Sequence, residues 1–321
     1  MKLFPLHLIP NDTNIDFMRW RRATLALALV AFVASLAVIG LKGFNYALEF
    51  TGGTVVEARF DKPLDVDAVR KQLDSIGYGH AEVQTVGGGN DVMIRLQPHG
   101  EHNNADGDKT VANIVVDAIG TEANPAHLLR TEFVGPQVGK DLAMNGLYAT
   151  IFMLVGFLAY IAFRFELKFA IVASITAFLD LIVTVAYVSA TGREFDLTVL
   201  AGLLSVMGFA INDIIVVFDR VRENFRGMRA PPLEVLNKSI NQTLSRTIIT
   251  AVMFFLSAWA LYLYGGESMR GLAETHMIGA VVVVVSSVVV AVPMLAVRPF
   301  AVTKQDLMPK AKDVEALARR P

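Results

Sequence analysis

"SVMGFAINDIIVVFDRVRENF", residues 205–225, begins as an apolar helix, carries Asp213 before the apolar part is over, and ends as a charged amphipathic one. Its first half is suited to a membrane span and its second half to an aqueous surface, so the stretch fixes both the environment and the depth of one carboxylate. The rest of the chain agrees on the environment. Of 321 residues 54 % are hydrophobic and 18 % charged, and the mean hydropathy of +0.48 is too apolar for a soluble protein of this length. The formal net charge of -1 gives no reason to expect a nucleic-acid partner. With no cysteine, disulfide frameworks, thiolate metal sites and cysteine nucleophiles are excluded.

Six apolar runs reach the roughly 20 residues needed to cross about 30 Å of hydrocarbon: 23–41, 142–163, 169–190, 197–218, 246–264 and 275–297. The first follows Arg19, Arg21 and Arg22, and no A-x-A cleavage site follows it, so it reads as an uncleaved anchor. Lys and Arg concentrate on one side of the alternation: the N-terminus, Arg164 and Lys168, the run Arg220 to Lys238, and the tail from Arg298. The opposite short loops hold only Arg193 and Arg270. The bias predicts both termini on the cytoplasmic side and residues 42–141 on the other. The division is therefore 1–22 N-terminus, 23–41 first span, 42–141 external domain, 142–297 spans two to six, and 298–321 tail.

Residues 42–141 pattern as a domain. "YALEFTGGTVVEARF" reads as a strand with a glycine pair, and "PLDVDAVRKQLDSIGY" as a capped helix with Val66, Val69, Leu73 and Ile76 on one face. "AEVQTV", "GGGND" and "VMIRLQ" read as a hairpin; the glycine turn lacks the helix and Lys of a phosphate loop. A helix in "TVANIVVDAIG" and a strand in "HLLRTEFVG" complete the order βαββαβ. The fold class expected is a polytopic α-helical membrane protein of six transmembrane helices, with one α+β ferredoxin-like domain between helices 1 and 2.

Ionisable groups within spans cost about 2.5–3.5 kcal/mol at the centre and face a partner or cavity. Asp180, Asp213 and Arg246 stand out. Thr176, Asp180 and Thr184 share one helix face, as do Gln242, Arg246 and Thr250. Ala201, Ser205, Gly208 and Asn212 form a small-residue stripe beside Asp213, suited to close helix packing. Arg246, at the mouth of the fifth span, is level with Asp213 and is its expected partner, while Asp180 lies deeper. A carboxylate in such a seam can take up and release a proton. The alternatives are that Asp213 and Asp180 only hold helices in register, that Arg246 snorkels to headgroups, and that the span Ser and Thr residues bond back to their own helices. His276 falls at a span's outer edge and is expected at the interface.

"FTGGT" (50–54), "VGPQVG" (134–139), "FRFELKFA" (163–170), "VMGFAINDIIVVFDRVRENFR" (206–226) and "NQTLSRTIIT" (241–250) together resemble the SecF family of bacterial protein-export membrane proteins, within the resistance-nodulation-division superfamily. The likeness runs from about residue 14 to 300. It implies a periplasmic α+β domain, an inner-membrane location, and a non-enzymatic subunit that works with SecD, YajC and the SecYEG translocon. Such a subunit uses the proton-motive force to assist translocation of an unfolded preprotein. It also implies that Asp213 is the family's essential intramembrane aspartate and Arg246 its functional arginine, with Asp180 where the family often has an acidic residue. Beside this proton-coupling set the residues themselves give the seam of Ser205, Gly208 and Asn212, whose polar groups suit H⁺ or Na⁺ as the coupling ion, with no bound cofactor or metal expected. The "HNNADGD" stretch is longer and more polar than the family suggests. Two other functions fit parts of the pattern. One is half of a proton-coupled efflux transporter. The other is an intramembrane aspartyl protease using Asp180 and Asp213, although "AIND" is not the G-x-G-D of such enzymes.

Overall fold

The computed structural model of the chain describes residues 13–79, 81–86, 90–96, 105–121 and 123–307. It divides into two compact units, residues 46–149 and the remainder (1–45 with 150–321). The "GGG" turn and residues 102–104 of the "HNNADGD" stretch fall outside the described residues.

The first unit contains β1 (Gly53–Phe60), α2 (Val66–Ser75), β2 (Glu82–Val86), β3 (Asp91–Leu96), α3 (Ala105–Ile119) and β4 (Ala126–Val134), after the first spanning helix α1 (Arg21–Lys42). The strands form one antiparallel sheet in the order β2-β3-β1-β4, the split βαβ arrangement that the sequence order predicts. Period-two burial makes the sheet one-sided. Val56, Ala58 and Phe60 of β1 and Val92, Ile94 and Leu96 of β3 are buried together with Val69 and Leu73 of α2 and Val115 and Ile119 of α3. The Asp65 carboxylate caps α2 by accepting from Asp67 N–H at 3.0 Å.

One expectation fails at the glycine pair. Instead of a strand from Tyr46, residues Leu48–Thr51 form a helical turn, and the strand begins at Gly53. Gly52 and Gly53 have φ of +69° and +124°, a backbone path that other residues resist. The path is forced by a close neighbour. A Cβ on Gly52 would lie 2.9 Å from Pro136 Cα, and a Cβ on Gly139 would lie 2.9 Å from Gly52 N. "FTGGT" and "VGPQVG" are thus the two sides of one backbone contact, between the start of β1 and the first turn of α4 (Pro136–Arg164).

Among the described residues six helices are long and apolar enough to cross a membrane: α1 with the turn before it, α4, α5 (Leu167–Thr191), α6 (Leu197–Gly227), α7 (Pro232–Tyr264), and a last span made of α8 (Glu267–Ser286), a π-helical turn at Ser287–Ala291 and a short end to Met294. Gly192 in the left-handed region ends α5, Asp196 caps α6 by accepting from Val199 N–H at 2.6 Å, and Pro232 opens α7. The inner helices are α5, α6 and the last span, whose apolar windows are 56 %, 50 % and 56 % buried; α1, α4 and α7 bury 6 %, 11 % and 17 %. Phe169 and Phe218 meet edge-on at 5.1 Å and lock α5 to α6, with Phe165 against the same ring. Beyond the last span, Lys168 Nζ donates to Ala301 O at 2.9 Å and to both Asp306 oxygens at 3.0 Å, clasping the chain back onto α5.

Two outcomes follow. Gly139→Ala should destabilise the chain despite alanine's helix preference of about 1 kcal/mol, because its Cβ meets the Gly52 backbone. In the same helix Gly156→Ala meets nothing within 4 Å and should be neutral or stabilising, and thermal unfolding of the two variants checks the contrast. At the clasp, burial works to raise the Asp306 carboxyl, but bonds from Lys168 and Thr303 outweigh it and hold the carboxyl below its usual value. Its folded-state pKa being depressed, the stabilisation is full above the unfolded value of about 3.9 and is lost as pH falls through the folded value. Acid-protease cutting of residues 298–307 should therefore rise steeply below about pH 4 in the wild type, whereas Asp306→Asn should be open at neutral pH.

Candidate proton-coupling site

α5 brings Thr176, Asp180 and Thr184 onto one fully internal face. Both threonine hydroxyls bond back to their own helix, to Val172 O at 2.9 Å and Asp180 O at 2.7 Å. They are spent, and neither serves Asp180. Its side chain is 1 % exposed and neither carboxylate oxygen has a hydrogen-bond partner. Ser286 faces it, yet that hydroxyl donates to Val283 O at 3.1 Å.

Asp213 of α6 is 4 % exposed and lies within electrostatic reach of Asp180. Thr247 of α7 and Ser287 of the π turn stand beside its carboxylate. The Ser287 hydroxyl is engaged by Val284 O at 3.1 Å, and the buried Thr247 Oγ1 and Asp213 Oδ2 have no partner. Two adjacent serines in a regular helix point about 100° apart. That spread suits two carboxylates on two different helices, and both serines are buried. Pro293 accounts for the local π turn, since it denies a hydrogen bond to the carbonyl four residues back and crowds that turn.

Arg246 is exposed on this chain and acts on Asp213 through its charge, without an ion pair to it among the described residues. Gln242, Arg246 and Thr250 do share a face, with Gln242 accepting from Asn224 of α6 at 2.8 Å. Asn224 also donates to Ser239 at 2.9 Å, a buried polar latch between α6 and α7 that the sequence reading missed. Ser205, Gly208 and Asn212 lie on the exposed side of α6 next to Asp213.

Within the chain, the tightest packing of α6 is on another side, against α8. A Cβ on Gly202 would be 3.0 Å from Thr275 Cβ, and one on Gly279 would be 2.3 Å from a Val206 methyl. Gly271, Thr275 and Gly279 repeat every four residues, a small-residue pattern that was available in the sequence. His276 corrects an expectation: it sits in the third turn of α8, with Nδ1 bonded to Leu272 O at 2.7 Å and Nε2 to Ser205 Oγ at 2.9 Å, because α8 begins at Glu267, well before the apolar run. Thr247, Ser286 and Ser287 were also missed. The serine pair was the more visible, being the only hydroxyls in "VVVVVSSVVVAV".

The end of the bundle nearest Asp219 is charged and paired. Arg222 donates to Glu166 at 3.2 Å with its guanidinium over the Phe165 ring, and Arg164 reaches Asp219 at 3.4 Å. Among the described residues no group of three or more His, Asp or Glu side chains is arranged to hold a metal.

Residues 115–298 match the family model described as protein export membrane protein SecD/SecF, C-terminal, and residues 37–64 match the SecD/SecF GG motif. The chain is 37 % identical over 311 residues to the protein translocase subunit SecF of Vibrio alginolyticus, covering 96 % of each. It is 40 % identical to the one from Pseudomonas aeruginosa, over 94 % of this chain and 96 % of that one. The crystal structure of SecDF, a translocon-associated membrane protein from Thermus thermophilus, superposes with a TM-score of 0.78 at 31 % identity. The match covers 90 % of this chain and 39 % of that longer one. The glycine contact, the six spans and the carboxylate-bearing α6 all lie within these matched regions, and the chain belongs to the SecD/SecF family of protein-export membrane proteins.

Proposed function

We propose how the family's task, proton-motive-force-coupled assistance of preprotein export by a non-catalytic inner-membrane subunit of the Sec translocon, runs through this chain: Asp213 and Asp180 take up the coupling proton, and Arg246 biases them from an open face. The observation that carries the proposal is the pair of buried carboxylates with three of their four oxygens unpartnered. Burying one unpaired charge is costly and burying two side by side is more so, so a proton arriving at the pair changes the energy of the whole seam. Moving one elementary charge through 100 mV is worth about 2.3 kcal/mol, enough to shift a two-state equilibrium roughly 50-fold.

The exposed polar face supports SecD as the partner. Ser205, Asn212, Arg246 and Thr250 would be poorly placed against lipid. The SecDF chain, of which this one spans 39 %, carries additional sequence that can cover such a face. The basic flanks support cytoplasmic termini, with the α+β domain on the periplasmic side, where it would act on unfolded preprotein emerging from SecYEG, with YajC as a further companion. H⁺ is the coupling ion proposed, with Na⁺ as the ion the same carboxylates can also hold.

In membrane vesicles containing SecD and SecYEG, Asp213→Asn should reduce gradient-driven export to the level seen without a gradient, while leaving complex assembly intact. Asp180→Asn should reduce it less if Asp213 is the primary proton site. Undiminished gradient dependence in Asp213→Asn would sink the proposal, and the response to Na⁺ at fixed pH separates the two ions. The chain lacks cysteine, so Asn212→Cys offers one thiol. It should cross-link to a single-cysteine SecD, whereas Trp259→Cys, exposed on a different face of α7 from Arg246 and Thr250, should not.

A further inference from the structure

A groove of about 610 Å³ runs between the second to fourth turns of α1, the third and fourth turns of α5 and the end of the last span. Its walls are apolar, with Leu29, Phe32, Phe178 and Met294 among them, and its only polar lining residues are Ser174 and Arg298. The Ser174 hydroxyl already donates to Ala170 O at 2.9 Å, so the walls offer a ligand no polar anchor. The charge is all at the mouth. Arg298 lines the groove, is exposed, and makes no ion pair or side-chain hydrogen bond among the described residues. Arg22 is likewise exposed and unpaired, and lies three and seven residues before Leu25 and Leu29, on the same face of α1. No acidic side chain lines the groove.

We infer that this groove binds one acyl chain of an anionic glycerophospholipid, whose phosphate is held between Arg298 and Arg22 at the end of the bundle where α1 begins and the last span ends. The dimensions and charges favour a lipid over a protein helix. Leu25 to Phe32 covers about 10 Å of helical rise, within the ~15 Å hydrocarbon depth of one leaflet. A protein helix seated there would give no role to the two arginines at one end. Planar guanidinium groups match phosphate oxygens in geometry and charge. The bound chain would also touch Val290 of the π turn, the segment that presents Ser287 to Asp213. The lipid would then brace the back of the element that faces the carboxylates.

The test is native mass spectrometry of the full chain with its partner subunit, released from nanodiscs of equal phosphatidylglycerol and phosphatidylethanolamine. Wild type should retain phosphatidylglycerol several-fold over phosphatidylethanolamine. The Arg22→Gln/Arg298→Gln variant should lose that preference and the Lys/Lys variant should largely keep it. Ala28→Trp, which fills the groove from its membrane-facing wall, should lose retention of both lipids while the complex stays monodisperse. Equal retention of the two lipids by wild type, or phosphatidylglycerol retention unchanged in the Gln/Gln or the Ala28→Trp variant, would overturn the inference. So would a photoreactive side chain at Leu29 that captures a polypeptide in place of a lipid.

Discussion

The constraint on which the membrane unit depends is the burial of Asp180 and Asp213 in one seam with almost no donor to serve them. A lone polar group in a span can be satisfied by a neighbouring hydroxyl, but here the hydroxyls of Thr176, Thr184, Ser286 and Ser287 are committed to backbone carbonyls of their own helices. The seam is therefore held shut by packing elsewhere. The Phe165, Phe169 and Phe218 rings, the Asn224 latch to Ser239 and Gln242, and the glycine contacts of Gly202 and Gly279 fasten α5, α6, α7 and α8 around it. These contacts are discrete, so the helices have defined packed arrangements in place of a continuum.

The π turn belongs to the same device. It begins at Ser287, directly after Ser286 has ended the regular helix, and lies where Pro293 weakens the hydrogen-bond ladder four residues back. The junction of the regular helix and the π turn thus places Ser286 beside Asp180 and Ser287 beside Asp213.

Much of this was legible in the sequence, for a physical reason. Asp180, Asp213 and Arg246 were visible because a charge in an apolar run is expensive, and the βαββαβ order because one-sided sheets and amphipathic helices write their periods into the residues. What escaped was set by relations between segments. The direction of tightest packing around α6 depends on glycines of α8, 70 or so residues away. The path at Gly52 depends on Pro136 and Gly139, which made a helical turn of what reads locally as strand. Arg246 was expected to pair with Asp213 because the two share a depth. Depth does not fix azimuth, and the arginine lies on the open side of its helix.

The glycine contact fixes where the α+β unit ends and α4 begins. It joins the start of β1 to the first turn of α4 backbone against backbone, leaving no side chain to give way. α4 then runs unbroken for 29 residues, about 44 Å, with little of its apolar window buried. At its far end the Arg164 pair with Asp219 is half exposed on both sides, the kind of surface ion pair that contributes about 1 kcal/mol or less. Ile161, buried in the core of the membrane unit, is what anchors α4 at this end. Asp219 lies less than two turns beyond Asp213 on α6, so the ion pair between α4 and α6 at this end sits close to the buried carboxylate.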